Sequence, residues 1–291
     1  MNRRRAPLAA AALALLVAAC GGPQDPQPSG NAAQRIVTLS PHLAEIAFAV
    51  GAGERIVGVS AYTNYPEQTA SLPVVGDAFN VDQERLVLLS PDLVLAWQSG
   101  TPEHIVDELR ARGFRVEVIR TTTLDEIAAA LGRIGALTGQ ADAGAALAAE
   151  FEARLARLRE TYRDAPPISV FYQVAVRPLY TINAAHYLSE LIELCGGRNV
   201  FADLGDLAPA ISVEAVLERD PDVMLASSDA GSSAFDEWRR WPELAANRYG
   251  NHFIMPADEI GRATPRLLAA ASAMCEALDT ARRNRESAKD D

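Results

Sequence analysis

Residues able to make or break bonds are scattered along this sequence. The four histidines, His42, His104, His186 and His252, lie far apart, without the short spacing that brings two ligands to one metal ion. No glycine-rich phosphate loop and no nucleophile elbow occurs. Ser40 would need a histidine and an acid as partners, and no acid is placed for that role. Catalysis therefore finds little support. A different set stands out at the ends of predicted strands. Tyr62, Phe79 and Trp97 in the first half can offer flat aromatic faces. Gln173, Arg177 and Arg262 in the second half can offer hydrogen-bond donors. Trp238 and Trp241 would serve as well in a core as in a site. Asp258 and Arg262 bracket a loop that contains Glu259, Ile260 and Gly261. Asp258 also suits the capping of a turn, and Arg262 also suits pairing with Asp258 or Glu259.

The elements that must position these residues fall on either side of one long helical stretch, from Gln140 to Asp164. Leu147, Phe151, Leu155, Leu158 and Tyr162 recur along it with helical spacing and mark one face. Pro166 and Pro167 stop it. At 1.5 Å per residue it spans on the order of 35 Å, about the width of a small domain. Before it, strand patterns near Ile36–Leu39, Arg55–Val59, Val74–Val75, Asp92–Ala96 and Arg115–Ile119 alternate with helical ones. After it, strand patterns near Ile168–Val174, Asp222–Ala226 and His252–Met255 do the same. Short loops between strand and helix predict parallel pairing, with the loops at the strand carboxyl ends as the natural place for a small molecule. The predicted fold class is α/β: two Rossmann-like lobes with mostly parallel sheets, joined by one long α-helix. Lobe 1 is expected over 35–139, the connecting helix over 140–164 and lobe 2 over 165–291.

An internal repeat supports two similar lobes. Val81–Ala96 (VDQERLVLLSPDLVLA) aligns without a gap on Ile211–Ala226 (ISVEAVLERDPDVMLA). Glu84 meets Glu214, Pro91 meets Pro221 and Asp92 meets Asp222 at a constant offset, since 214 − 84 and 222 − 92 are both 130. Upstream, AEIAFAVG can be laid on SELIELCG. Glu84 and Glu214 each follow a capping residue, Asp82 or Ser212, so each falls in a first helical turn, where the dipole favours a carboxylate.

Residues 1–20 read as a targeting segment. Arg3, Arg4 and Arg5 precede an apolar run, Leu8–Ala19, too short to span a bilayer. The run ends LVAAC, which resembles a bacterial lipobox and predicts lipidation of Cys20 after cleavage. Residues 21–34 are rich in Gly, Pro, Gln and Ser and read as a flexible tether. The roughly 255 residues that remain suit two lobes. Net charge is −11, and −11 − 3 = −14 once the three arginines leave with the signal. An acidic surface argues against nucleic-acid binding and fits docking on a basic patch of another protein. With Cys20 assigned to lipid, Cys195 and Cys275 remain in an oxidising compartment, and two cysteines allow one pairing.

The opening VTLSP, the two lobes about one helix and the paired Glu and Pro-Asp units resemble the helical-backbone class of solute-binding proteins. These serve ABC importers of metal chelates. The resemblance covers essentially all of 35–283. SAYTNYP after the second strand, LAWQSG after the third, VFYQ at the start of lobe 2, ELCGG, RATPR and a late Cys are most similar to the cobalamin-binding branch. The resemblance implies a corrinoid ligand in the inter-lobe cleft, touched by Tyr62 and by the loop from Asp258 to Arg262. Phe79 stands near the place where that branch carries a Trp, and Glu259 stands in place of an aromatic. A corrin is broad, partly apolar and rimmed with amides, which calls for flat faces and a few polar groups. The resemblance also implies that Glu84 and Glu214 meet arginines on the two transmembrane subunits of the importer. The expected protein is a periplasmic monomer with no cofactor, held to a membrane only by its N-terminal lipid. Other readings stay open. The chelate could be haem or a siderophore. His42 and His252 could converge with an acid on bare metal. A chelatase-like enzyme shares a similar two-lobed build.

Overall fold

The computed structural model describes residues 32–77, 79–231 and 233–290. The expected signal over 1–20, with Cys20, and most of the tether over 21–34 lie outside the described residues.

Two four-stranded sheets of parallel strands organise the chain. Strands β1 (Ile36–Thr38), β2 (Ile56–Gly58), β3 (Leu93–Trp97) and β4 (Val116–Ile119) form the first, in the order β2-β1-β3-β4. Strand β5 (Ile168–Gln173) opens lobe 2, and a short antiparallel hairpin of β6 (Ala175–Val176) and β7 (Leu179–Tyr180) follows it. Strands β8 (Gly197–Asn199), β9 (Val223–Ser227) and β10 (His252–Met255) complete the second sheet, in the order β10-β9-β5-β8. Read from the other edge, this is the order of the first sheet. The central strands are short apolar runs buried on both faces, as strands flanked by helices must be.

Three details differ from the sequence reading. Trp97 is the last residue of β3, not part of the loop beyond it. Val74 makes a single parallel bridge to Val59 instead of a strand. Gly197–Asn199, which carries no strand signal, becomes an edge strand because β5 offers it a backbone ladder.

The repeat is visible in backbone detail. Helices Gln83–Leu89 and Val213–Arg219 sit at the same offset of 130 as the sequences. Asp82 caps the first by accepting the backbone N–H of Arg85, and Ser212 caps the second through Ala215. Both helices end in a left-handed residue, Ser90 or Asp220. Asp92 accepts the backbone N–H groups of Gln34 and Arg35, and Asp222 accepts that of Ser169. The Asp of each Pro-Asp pair thus anchors the start of the first strand of its own lobe.

Helix Ala141–Thr161 connects the lobes. Phe151 and Leu155 are buried, while Leu147, Leu158 and Tyr162 pack at the margin of the same apolar core. That core runs unbroken from Ile36 and Leu95 of lobe 1 through this helix to Val170 and Leu225 of lobe 2. Alternate residues of the same strands face outward into a separate core in each lobe, around Val37 and Val94 in one and Phe171 and Met224 in the other. At Gly144 the connecting helix passes so close to helix Leu124–Leu137 that a Cβ would stand 2.6 Å from the Leu131 carbonyl oxygen. Only glycine fits there.

Candidate functional site

The carboxyl ends of both sheets open on one cleft. A cavity of about 300 Å³ lies there, lined by Ser40, Pro41, His42, Tyr62, Trp97 and Thr121 from lobe 1. His186, Tyr187, Gly261, Arg262 and Ala263 line it from lobe 2. Each group follows from topology: Ser40–His42 succeed β1, Tyr62 succeeds β2, Trp97 ends β3, Thr121 succeeds β4, and Gly261–Ala263 succeed β10. A second cavity of about 240 Å³ shares His186, Tyr187 and Gly261 and adds Tyr172, Ser227 and Asp229. A third, of about 370 Å³, lies beside Glu45, Phe48, Tyr65 and Arg266.

The aromatic groups are held differently. Tyr62 has a φ of 66°, which an aromatic residue rarely adopts, and is 84% exposed. Its carbonyl oxygen accepts a hydrogen bond from Arg262 Nη2 at 3.3 Å, so the ring is presented on a loop tied to the opposite lobe. Trp97 is half-buried and packs edge-on against His42, with centroids 5.1 Å apart. His42 Nδ1 lies 2.6 Å from Ser40 Oγ and Nε2 lies 3.4 Å from Thr121 Oγ1. Burial, reinforced by the nearby Arg262 charge, lowers its pKa to about 3. His186 caps helix Tyr187–Leu194 by accepting the Leu188 N–H at Nδ1, and burial lowers its pKa to about 4. Both rings are neutral near pH 7, and Nδ1 of His186 is already an acceptor, so Nε2 carries the proton of that ring.

The two lobes are joined across the cleft by charge. Glu45, 3% exposed on helix Pro41–Ala49, lies 2.5 Å from Arg262 and 3.4 Å from Arg266. Asp258 pairs with Arg262 at 3.0 Å and Glu259 with Arg266 at 2.7 Å. Asn64 donates to Asp258 at 3.3 Å, and the Arg266 guanidinium stacks 4.0 Å from the centre of the Tyr65 ring.

Several expected site residues sit elsewhere. Gln173 is not available to the cleft: it is 1% exposed, its amide donating to the Ala234 carbonyl and accepting from the Trp238 indole. Two polar groups deep in lobe 2 satisfy each other there. Arg177 is exposed beside the β6–β7 hairpin, 3.8 Å from Glu237, and lines none of these cavities. Phe79 is 68% exposed and lines none of them either. The Ile260 side chain is buried in the core, and its carbonyl accepts the Tyr187 hydroxyl at 3.1 Å. Trp238 is core. His42 and His252 do not converge, because His252 opens β10 and stacks on Phe235, away from the strand carboxyl ends. Among the described residues no cluster of three or more His, Cys, Asp or Glu is placed to hold a metal. Glu45, Thr121, His186 and Tyr187 also line these cavities, without having been expected there from the sequence. Glu45 carried a signal, as a lone acid in the apolar run AEIAFAV.

Comparison with known proteins places this geometry. Residues 36–259 match the family described as periplasmic binding protein. The vitamin B12-binding protein of Vibrio cholerae is 37% identical over 252 residues, covering 86% of this chain and 91% of that protein. The chain belongs to the periplasmic binding protein family. Its fold superposes on the crystal structure of the periplasmic vitamin B12 binding protein of Vibrio cholerae with a TM-score of 0.79 at 36% identity, covering 86% of this chain and 98% of the other. The periplasmic heme-binding protein of Roseiflexus sp. RS-1 gives 0.75 at 27% identity, covering 85% and 99%. Within this family the close relatives are binding proteins, and the cleft described above is where the two lobes of this chain can hold a small molecule.

Proposed function

We propose that the protein is an extracytoplasmic solute-binding protein that captures a corrinoid in the inter-lobe cleft and delivers it to an ABC importer, without transforming it. The observation that carries this reading is the make-up of the cleft: flat faces from Tyr62 and Trp97 beside neutral polar groups from His42, His186, Ser40 and Thr121. Apolar faces suit the corrin plane, and neutral donors and acceptors suit its amide rim. The names of the Vibrio cholerae relative and structure support the same ligand. Tyr62 and the loop from Asp258 to Arg262 are the contacts we assign to it, with Gly261 and Arg262 as the part of that loop lining the cavity. Phe79, exposed on lobe 1 and outside these cavities, would touch only a ligand that extends past the cleft mouth. Lobes over 35–139 and 165–291, a lipidated Cys20 holding a monomer to a periplasmic membrane surface, and Glu84 and Glu214 as the importer contacts complete the proposal. Titration of the purified protein with cyanocobalamin, haem and Zn²⁺, followed in the visible range, tests it. A saturable spectral change with cyanocobalamin at low micromolar concentration or below is expected. Saturation by haem or Zn²⁺ alone would overturn the corrinoid assignment.

A further inference from the structure

Two guanidinium groups reach the cleft, and both are already neutralised. Arg262 lines the central cavity, and Arg266 lines the separate cavity beside Glu45 and Tyr65. Glu45 stands between them and contacts both. Asp258 also pairs with Arg262 and Glu259 with Arg266, so the two cations meet three carboxylates. Asp229, on the wall of the neighbouring cavity, adds one more acid. His42 and His186 contribute no positive charge near neutral pH.

A planar chelate that carries carboxylates would find no uncompensated cation on these walls. Its carboxylates would lose water and meet no partner of opposite charge. The amide rim of a corrin ring incurs no such penalty against these walls, because amides need only neutral donors and acceptors. Glu45 is the carboxylate that the two arginines share, and the buried one of the three. A buried carboxylate is retained only where it is paired, and this one is paired with both cleft arginines at once.

We propose that Glu45 is a specificity-determining residue: by neutralising Arg262 and Arg266 it closes the cleft to carboxylate-bearing tetrapyrroles such as haem and leaves it open to amide-rimmed corrinoids. This rests on the corrinoid reading above and deepens it. The test compares wild type with Glu45→Gln, which keeps the side-chain shape, removes the carboxylate that both guanidinium groups share and leaves each with one acidic partner, Asp258 or Glu259. Each is titrated with iron protoporphyrin IX, with its dimethyl ester and with cyanocobalamin. Glu45→Gln should bind the free-acid haem roughly tenfold or more tightly than wild type, the size of one new charge-assisted hydrogen bond. The tighter binding should weaken as salt is raised and should be absent for the dimethyl ester, which has no carboxylates. An equal change for acid and ester, or no change for the acid, would overturn the proposal and leave Glu45 as an inter-lobe tie. If Glu45→Gln does not fold, Asp258→Asn with Glu259→Gln leaves Glu45 as the one carboxylate on both arginines. The free-acid haem should then still bind no more tightly than to wild type, and a tenfold gain for the acid alone would assign the exclusion to Asp258 and Glu259 and overturn the proposal. Failure of wild type to bind cyanocobalamin would instead refute the functional reading, whatever the Glu45 variant does with haem.

Discussion

Glu45 and Glu190 hold matching places in the internal repeat, and each reaches across to the opposite lobe. Glu45 receives Arg262 of lobe 2 at 2.5 Å, and Glu190, on helix Tyr187–Leu194, accepts the backbone N–H of Leu124 in lobe 1 at 2.9 Å. Leu124 opens helix Leu124–Leu137, where unsatisfied N–H groups and the helix dipole favour a carboxylate. Glu190→Ala should therefore lower stability by about 1 kcal/mol, the usual cost of losing a helix-terminal acceptor. A urea midpoint equal to that of wild type would show that the contact contributes nothing.

Tyr62 presents its ring to solvent and ties only its backbone into the fold. Tyr62→Ala should weaken cyanocobalamin binding by roughly 1–3 kcal/mol, one flat face lost, with little change in melting temperature. An unchanged titration curve would remove Tyr62 from the site.

His42 and His186 make stability depend on pH. Both have folded pKa values depressed below the unfolded value of 6.5, to about 3 and about 4, chiefly by burial. A depressed value means the folded state excludes the proton, so the contribution is complete above pH 6.5 and drains as pH falls toward the folded values. Each ring can cost up to about 1.4 kcal/mol per pH unit in that window. His186→Asn keeps a capping side chain and does not titrate, so its stability between about pH 6 and 4 should fall less steeply than that of wild type. Superimposable profiles would count against a buried neutral His186.

Cys195 ends helix Tyr187–Leu194, and its Sγ lies at bonding distance from that of Cys275 on the terminal helix, with Cα atoms 4.8 Å apart. The pair encloses a separation of 80 residues. In the chain-entropy picture a bond across such a loop contributes about 3–5 kcal/mol. A thiol assay on the denatured, unreduced chain without its first twenty residues should detect no free cysteine. Two thiols per chain would refute the bond.

Glu84 and Glu214 are exposed in the first turns of equivalent helices. Those helices run back toward the start of the next strand, which puts their N-termini on the cleft-mouth side of each lobe. Paired charges of this kind set register and encounter rate more than affinity. Glu84→Gln with Glu214→Gln should keep ligand affinity and melting temperature, and lose docking to the importer, with the residual docking less sensitive to salt. Lost ligand binding with intact docking would defeat the assignment.

The alternation of strands and helices, the connecting helix and the duplicated unit were legible in the sequence because each rests on local rules. The spacing of Leu147, Phe151 and Leu155 marks a face wherever the helix packs, and Asp82 and Ser212 cap within three residues of themselves. Tyr62 and Arg262 were legible as cleft residues for a related reason, since a strand's carboxyl end fixes where its loop emerges. What only the tertiary structure decided is which way a polar side chain turns and whom it meets. Gln173 turns into lobe 2 to hold the Trp238 indole, 65 positions away, because an unpaired indole N–H in that core would be costly. Glu45 meets Arg262 across 217 positions, and no local pattern encodes a pairing at that distance. Gly197–Asn199 has no strand propensity and becomes a strand only because β5 stands beside it with open backbone groups.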